Sequence, residues 1–102
     1  MSFLNLEDDE IYELLNKRSF DEVIKLMKDE WASYGVVREH DDGLIEFVTG
    51  GWSENEILID YVTDFRCKHR SHYVGFIVGG AHFFHPNHDG VWFDIIAEKR
   101  DD

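Results

Sequence analysis

A single cysteine, Cys67, stands among 102 residues, so the chain holds no internal disulfide, and a reducing compartment is the expectation. No apolar stretch approaches the roughly 18–20 residues that span a bilayer. The opening MSFLNLEDDE lacks a basic segment followed by an apolar one, so a secretory leader is not expected. Basic residues are scarce: 10 Lys and Arg face 22 Asp and Glu, a formal net charge of −12. That balance argues against binding nucleic acid or an anionic membrane surface directly. Neither a HExxH helix nor a pair of CxxC motifs is present, and internal repeats and low-complexity segments are missing too. A cytoplasmic protein with no cofactor is the expectation.

The charge that is present is unevenly placed. Residues 1–64 carry 17 Asp and Glu against 5 Lys and Arg, whereas residues 65–102 carry 5 of each and five of the six histidines. Hydrophobic residues make up 43% and aromatics 15%, enough for one core and one domain over residues 1–102. A chain this short buries only about 60–65% of its unfolded surface, so a partner would add stability.

Residues 6–17 read as a helix. Ile11, Leu14 and Leu15 share one side, and Glu7, Asp8, Asp9 and Glu10 complement the positive end of its dipole. Ser19 and Glu22 form a capping box for a second helix whose apolar stripe is Phe20, Val23, Ile24, Met27, Trp31 and Tyr34, with Gly35 suited to a left-handed stop. Residues 36–40 and 44–48 flank the turn Asp41-Asp42-Gly43 as a hairpin. Gly50-Gly51 breaks the second strand. A further capping box, Ser53 with Glu56, opens a third helix at about 53–64 that turns Ile57, Leu58, Tyr61, Val62 and Phe65 inward. Beyond it the period is two, with strands expected over 73–78, 81–85 and 91–97 and a turn at 86–90. The fold class is therefore α+β: two N-terminal helices and a largely antiparallel sheet of four to five strands, with one helix inserted between strands.

The string Thr49-Gly50-Gly51-Trp52-Ser53-Glu54-Asn55-Glu56, followed by His72-Tyr73 at the start of a later strand, resembles small prophage-encoded proteins that carry a TGGWS-x-NE helix start. The likeness covers about residues 44–78. Ser71 stands where those proteins tend to have Gly. The resemblance implies a phage or mobile-element origin and carries no chemistry with it. A glycine pair before a helix also suits a phosphate. With Glu54 and Glu56 in the first turn and no P-loop lysine, the structural turn is the better reading.

Two constellations remain. His72, His82, His85 and His88, with Asp89 beside them, are candidate ligands for zinc or a similar metal. On a strand, however, His82 and His85 point to opposite faces. Cys67 and His69 would share a face of an extended segment, but neither they nor Ser71-His72 assemble a nucleophile, base and orienting group, so no enzyme is expected. The other constellation is acidic: Glu7, Asp8, Asp9, Glu10, Asp41, Asp42, Glu54, Glu56 and Asp60, with Trp52 as an aromatic anchor. Carboxylates on one face imitate a run of phosphates and suit the Lys/Arg groove of a nucleic-acid-binding protein. The expectation is a small acidic phage protein that blocks a basic host protein, an anti-defence or anti-CRISPR inhibitor acting as a nucleic-acid mimic. The alternative is a histidine-based metal module or metal-dependent enzyme, and a homodimer formed through a strand edge is a third expectation.

Overall fold

In the computed structural model, which describes residues 3–31, 35–51, 53–77 and 79–87, short helices at the N-terminus lead into a sheet interrupted by one further helix. A 3-10 turn at Phe3–Asn5 precedes α1 (Asp8–Asn16) and α2 (Phe20–Glu30). The hairpin β1 (Val36–Glu39) and β2 (Ile45–Val48) follows, then α3 (Ser53–Thr63). A second 3-10 turn at Lys68–His72 delivers the chain to β3 (Tyr73–Ile77) and β4 (Ala81–Phe84). The four strands form an antiparallel sheet in the order β1-β2-β4-β3. This is the expected α+β architecture, with the third helix inserted between the hairpins. The strand expected over 91–97, and with it Trp52, His88 and Asp89, lies outside the described residues.

The alternation of side chains sorts the sheet into two faces. Phe47, Phe84, Val37, Ile45 and Tyr73 face the helices and join Ile11, Leu15, Val23, Met27, Leu58 and Val62 in the main core. Leu44, Val74 and Phe83 form a smaller cluster on the other face. α2 starts as its sequence prescribes. The Ser19 hydroxyl accepts from the Glu22 amide, and the Glu22 carboxylate accepts from the Ser19 amide, a reciprocal cap whose loss costs about 1 kcal/mol.

Four expectations are corrected. The α2 stripe stops at Glu30. Trp31 already has extended backbone, because its indole turns to the sheet, packs edge-on against Phe47 and donates Nε1–H to the Val48 carbonyl at 3.0 Å. Tyr34 is outside the described residues, and Gly35 does not have a positive φ. Gly35 is there for space instead: a Cβ would sit against the Trp31 indole nitrogen, 2.6 Å from the Val48 carbonyl and 2.7 Å from the Asn55 amide.

The inward stripe of α3 is Asn55, Leu58, Ile59 and Val62. Ile57 is 47% exposed and Phe65 is 76% exposed, contrary to the apolar spacing. The polar Asn55 takes the inward position that opens the stripe and rotates the helix away from the pattern its apolar residues suggest. The segment from Cys67 to His69 is not extended either, because the second 3-10 turn begins at Lys68.

Candidate functional site

The motif at the centre of the chain proves to be a joint. Gly50 and Gly51 take φ of 66° and 75°, left-handed values that only glycine adopts freely. The Asn55 side chain, 1% exposed, then reaches back from the first turn of α3 and donates to the Thr49 carbonyl at 3.1 Å. The Thr49 amide donates to the Gly80 carbonyl at 3.0 Å, tying this reversal to the turn between β3 and β4. Thr49, both glycines and Asn55 are thus occupied in joining strand to helix.

The candidate acidic residues separate into two groups. β2 starts beside the Asp41-Asp42 turn and ends at Thr49, where α3 is anchored, so the turn and the beginning of α3 lie at opposite ends of that strand. Asp42 builds the turn: its carboxylate accepts from the Leu44 amide and its carbonyl accepts from His85 Nε2. Asp41 is exposed there.

The remaining candidates come together. The Tyr61 hydroxyl of α3 donates to the Asp8 carboxylate of α1 at 2.7 Å, and this bond pushes the phenol above its ordinary value. Glu7, Asp9 and Glu10 are exposed around the same first turn of α1. Two adjoining cavities share Ile57 and Tyr61. One, of about 170 Å³, is bounded by Asp8, Asp60, Asp64 and Arg66; the other, of about 390 Å³, by Leu4, Asn5, Glu30 and Glu54. The half-exposed Ile57 therefore sits among Asp8, Glu30, Glu54, Asp60 and Asp64, carboxylates from three helices. Arg66 is the cation of this neighbourhood, and its charge is already engaged. Its guanidinium lies 4.3 Å from the Tyr12 ring centroid and donates Nε–H to Asp64 at 3.0 Å. Asp64 is in turn held below the usual carboxylate range by those bonds. Glu30, Asp64 and Ile57 were not among the sequence candidates, since they become neighbours only when α1, α2 and α3 assemble. Glu56 points to the other flank of α3, and Asp60 borders both flanks.

The described histidines of this cluster are dispersed and committed to the fold. A ring nitrogen facing a carbonyl must carry the proton, since a carbonyl only accepts. His69 Nε2 therefore donates to the Leu15 and Arg18 carbonyls at 3.0 and 2.9 Å, closing the end of α1, and burial lowers its basicity. His72 Nδ1 donates to the His85 carbonyl, and its ring stacks on Phe20 at 4.0 Å. His85 donates from Nε2 to the Asp42 carbonyl and accepts at Nδ1 from the Asn87 amide, so both ring nitrogens are used. His82 stands apart on the helix face of β4, 2.9 Å from the Tyr73 hydroxyl. Among the described residues no three His, Cys, Asp or Glu side chains are grouped to hold a metal ion. His88 lies outside those residues. Cys67 is buried, and desolvation pushes its thiol up, away from nucleophilic thiolate chemistry.

Among the described residues no helix is long and apolar enough to cross a membrane. Comparison with protein-family models, curated proteins and solved structures finds no match for the chain.

Proposed function

We propose that this protein is a small acidic interaction protein that binds and blocks a basic, nucleic-acid-binding protein through the face shared by α1 and α3. The observation that carries the reading is Ile57, a half-exposed aliphatic side chain ringed by carboxylates of three helices. An apolar side chain inside a ring of charge suits an interface, because burial of the anchor supplies affinity while surrounding charge supplies orientation and rate. The occupant is basic by complementarity, and a Lys/Arg groove that normally holds phosphates matches carboxylates distributed over separate turns. The TGGWS-x-NE resemblance extends the proposal to a phage-encoded origin and a host defence complex, including a CRISPR effector, as the target.

The test is capture from host lysate with wild-type protein, with a D8K/E54K/D60K variant, and with D41K as a control at the other end of β2. Basic nucleic-acid-binding proteins are expected on the wild type and on D41K. They should be released as salt rises from about 50 to 200 mM, the range over which phosphate-like contacts lose most of their affinity. They should be missing from the triple variant. Equal capture by the triple variant sinks the proposal.

A further inference from the structure

The flank of α3 that faces away from α1 forms one wall of a third cavity, of about 360 Å³, closed on its other side by the edge strand β3. Glu56 and Asp60, one helical turn apart, line it from α3 together with Ile59. Phe76 lines it from β3 and is 62% exposed. His82 and the glycine pair Gly79-Gly80 complete the lining, which among the described residues contains no Lys or Arg.

We propose that this cleft is the subsite for one arginine side chain of the basic partner, with the guanidinium seated between the two carboxylates and the ring of Phe76. The inference deepens the function proposed above and rests on it. It uses the opposite flank of α3 and a different mix of side chains, and Asp60, which borders both flanks, is the residue the two share.

Chemistry selects the occupant. Neither Glu56 nor Asp60 makes a hydrogen bond or ion pair with another described residue. Elsewhere Glu13 meets Lys17, Glu39 meets Lys28, Glu46 meets Arg38 and Asp64 meets Arg66. Here two carboxylates share a cavity to which the described residues bring no Lys or Arg. An exposed aromatic ring beside them adds the face that a weakly hydrated, planar cation prefers, and a guanidinium supplies five N–H donors to two carboxylates at once. A divalent metal is disfavoured, because the described side chains offer no ligand set of three. A phosphate would meet two negative charges.

The floor of the cleft is compatible with a cation. Burial holds His82 below its ordinary value, so the imidazole is neutral near pH 7 and adds no competing charge. Tyr73, pushed up to about 12 by burial and then by Asp60, keeps its proton against His82. The His82 and Phe76 rings are 5.9 Å apart at 31°, so the imidazole supports the ring that the guanidinium would stack upon.

The experiment is a titration of the amide NMR spectrum with N-acetyl-arginine methylamide, with the citrulline and lysine analogues run at matched ionic strength. Citrulline keeps the shape and removes the charge; lysine keeps the charge and removes the plane. Saturable shifts at Phe76, Gly79, Gly80 and His82 are expected with arginine, roughly tenfold weaker with lysine or citrulline. In E56Q/D60N the shifts should vanish. F76L, a change at an exposed position that keeps the fold, should weaken them by about two- to fivefold. Arginine shifts that persist unchanged in E56Q/D60N or F76L, or that citrulline reproduces, overturn the inference. So does an arginine titration that leaves these four amides still. If basic proteins are captured as described above while the cleft stays silent, the subsite fails and the functional proposal stands. If the cleft takes arginine but nothing basic is captured, the functional proposal fails instead.

Discussion

Replacing Gly35 with alanine pits two effects of opposite sign against each other. The backbone there does not have a positive φ, so alanine adopts it without strain. Removing a glycine from the unfolded ensemble is worth about 0.4–1 kcal/mol of stabilisation. Against this, the added methyl would collide with the Trp31 indole nitrogen, the Val48 carbonyl and the Asn55 amide. Two of the three are fixed from elsewhere. The carbonyl belongs to a paired strand, and the indole is wedged against Phe47. Overpacking of that kind costs about 1–3 kcal/mol. Displacing the indole also breaks its bond to Val48, worth about 0.5–1.5 kcal/mol. Repulsion wins, with a net loss of about 2 kcal/mol and a Tm lower by roughly 8–16 °C for a domain of this size. Urea unfolding followed by tryptophan fluorescence and thermal melting by circular dichroism both report it. Combining G35A with W31F removes one of the colliding atoms, so the pair should cost less than the sum of its parts by about 0.5 kcal/mol or more. A G35A protein as stable as its parent refutes the close-packing argument.

Two further outcomes follow from buried titrating groups. His69 is less basic in the fold than in the unfolded chain, first because burial disfavours its charged form. The unfolded chain therefore takes up a proton first as pH falls below about 6.5, and stability drains away from there downward. Acidification also relieves repulsion among the carboxylates, so the comparison is with H69Q. Between pH 7 and 5 the wild type should lose stability relative to H69Q in urea titrations, and parallel curves would remove His69 as the cause. Cys67, 1% exposed and with its thiol pushed up by desolvation, should react with an aromatic disulfide reagent at least about tenfold more slowly in the folded protein than in urea. Equal rates would place the thiol at the surface.

Local rules account for most of what was legible in the sequence. The capping box of α2, the Asp-Gly hairpin turn and the glycine break before α3 depend on neighbours a few residues apart, and all three form as read. What escaped depended on distant partners. Trp31 leaves its helix because Val48 and Phe47, far along the chain, offer a better site. Asn55 counts as polar by type, yet it is buried because Thr49 needs a donor, and that one residue turns Ile57 outward.

The candidate site divides in the same way. Asp8, Glu54 and Asp60 were readable as acidic, and nothing in their order shows that Tyr61 draws α1 against α3 while Asp41 and Asp42 are left at the far end of β2. The histidines cluster in sequence, yet the rings of His69, His72, His82 and His85 are each taken up by a different carbonyl, stack or hydroxyl.

The joint at Thr49 bears on how distant kin of this chain would be recognised. A Cβ on Gly80 would lie 2.6 Å from the Thr49 hydroxyl, so the two glycine-paired reversals are pressed against each other and neither can drift alone. Exposed carboxylates such as Glu7, Asp9 and Glu10 meet no such restriction, since nothing packs over them. Substitutions in a distant relative would therefore be tolerated around the joint long before they are tolerated within it, at Thr49, Gly50, Gly51, Asn55 and Gly80.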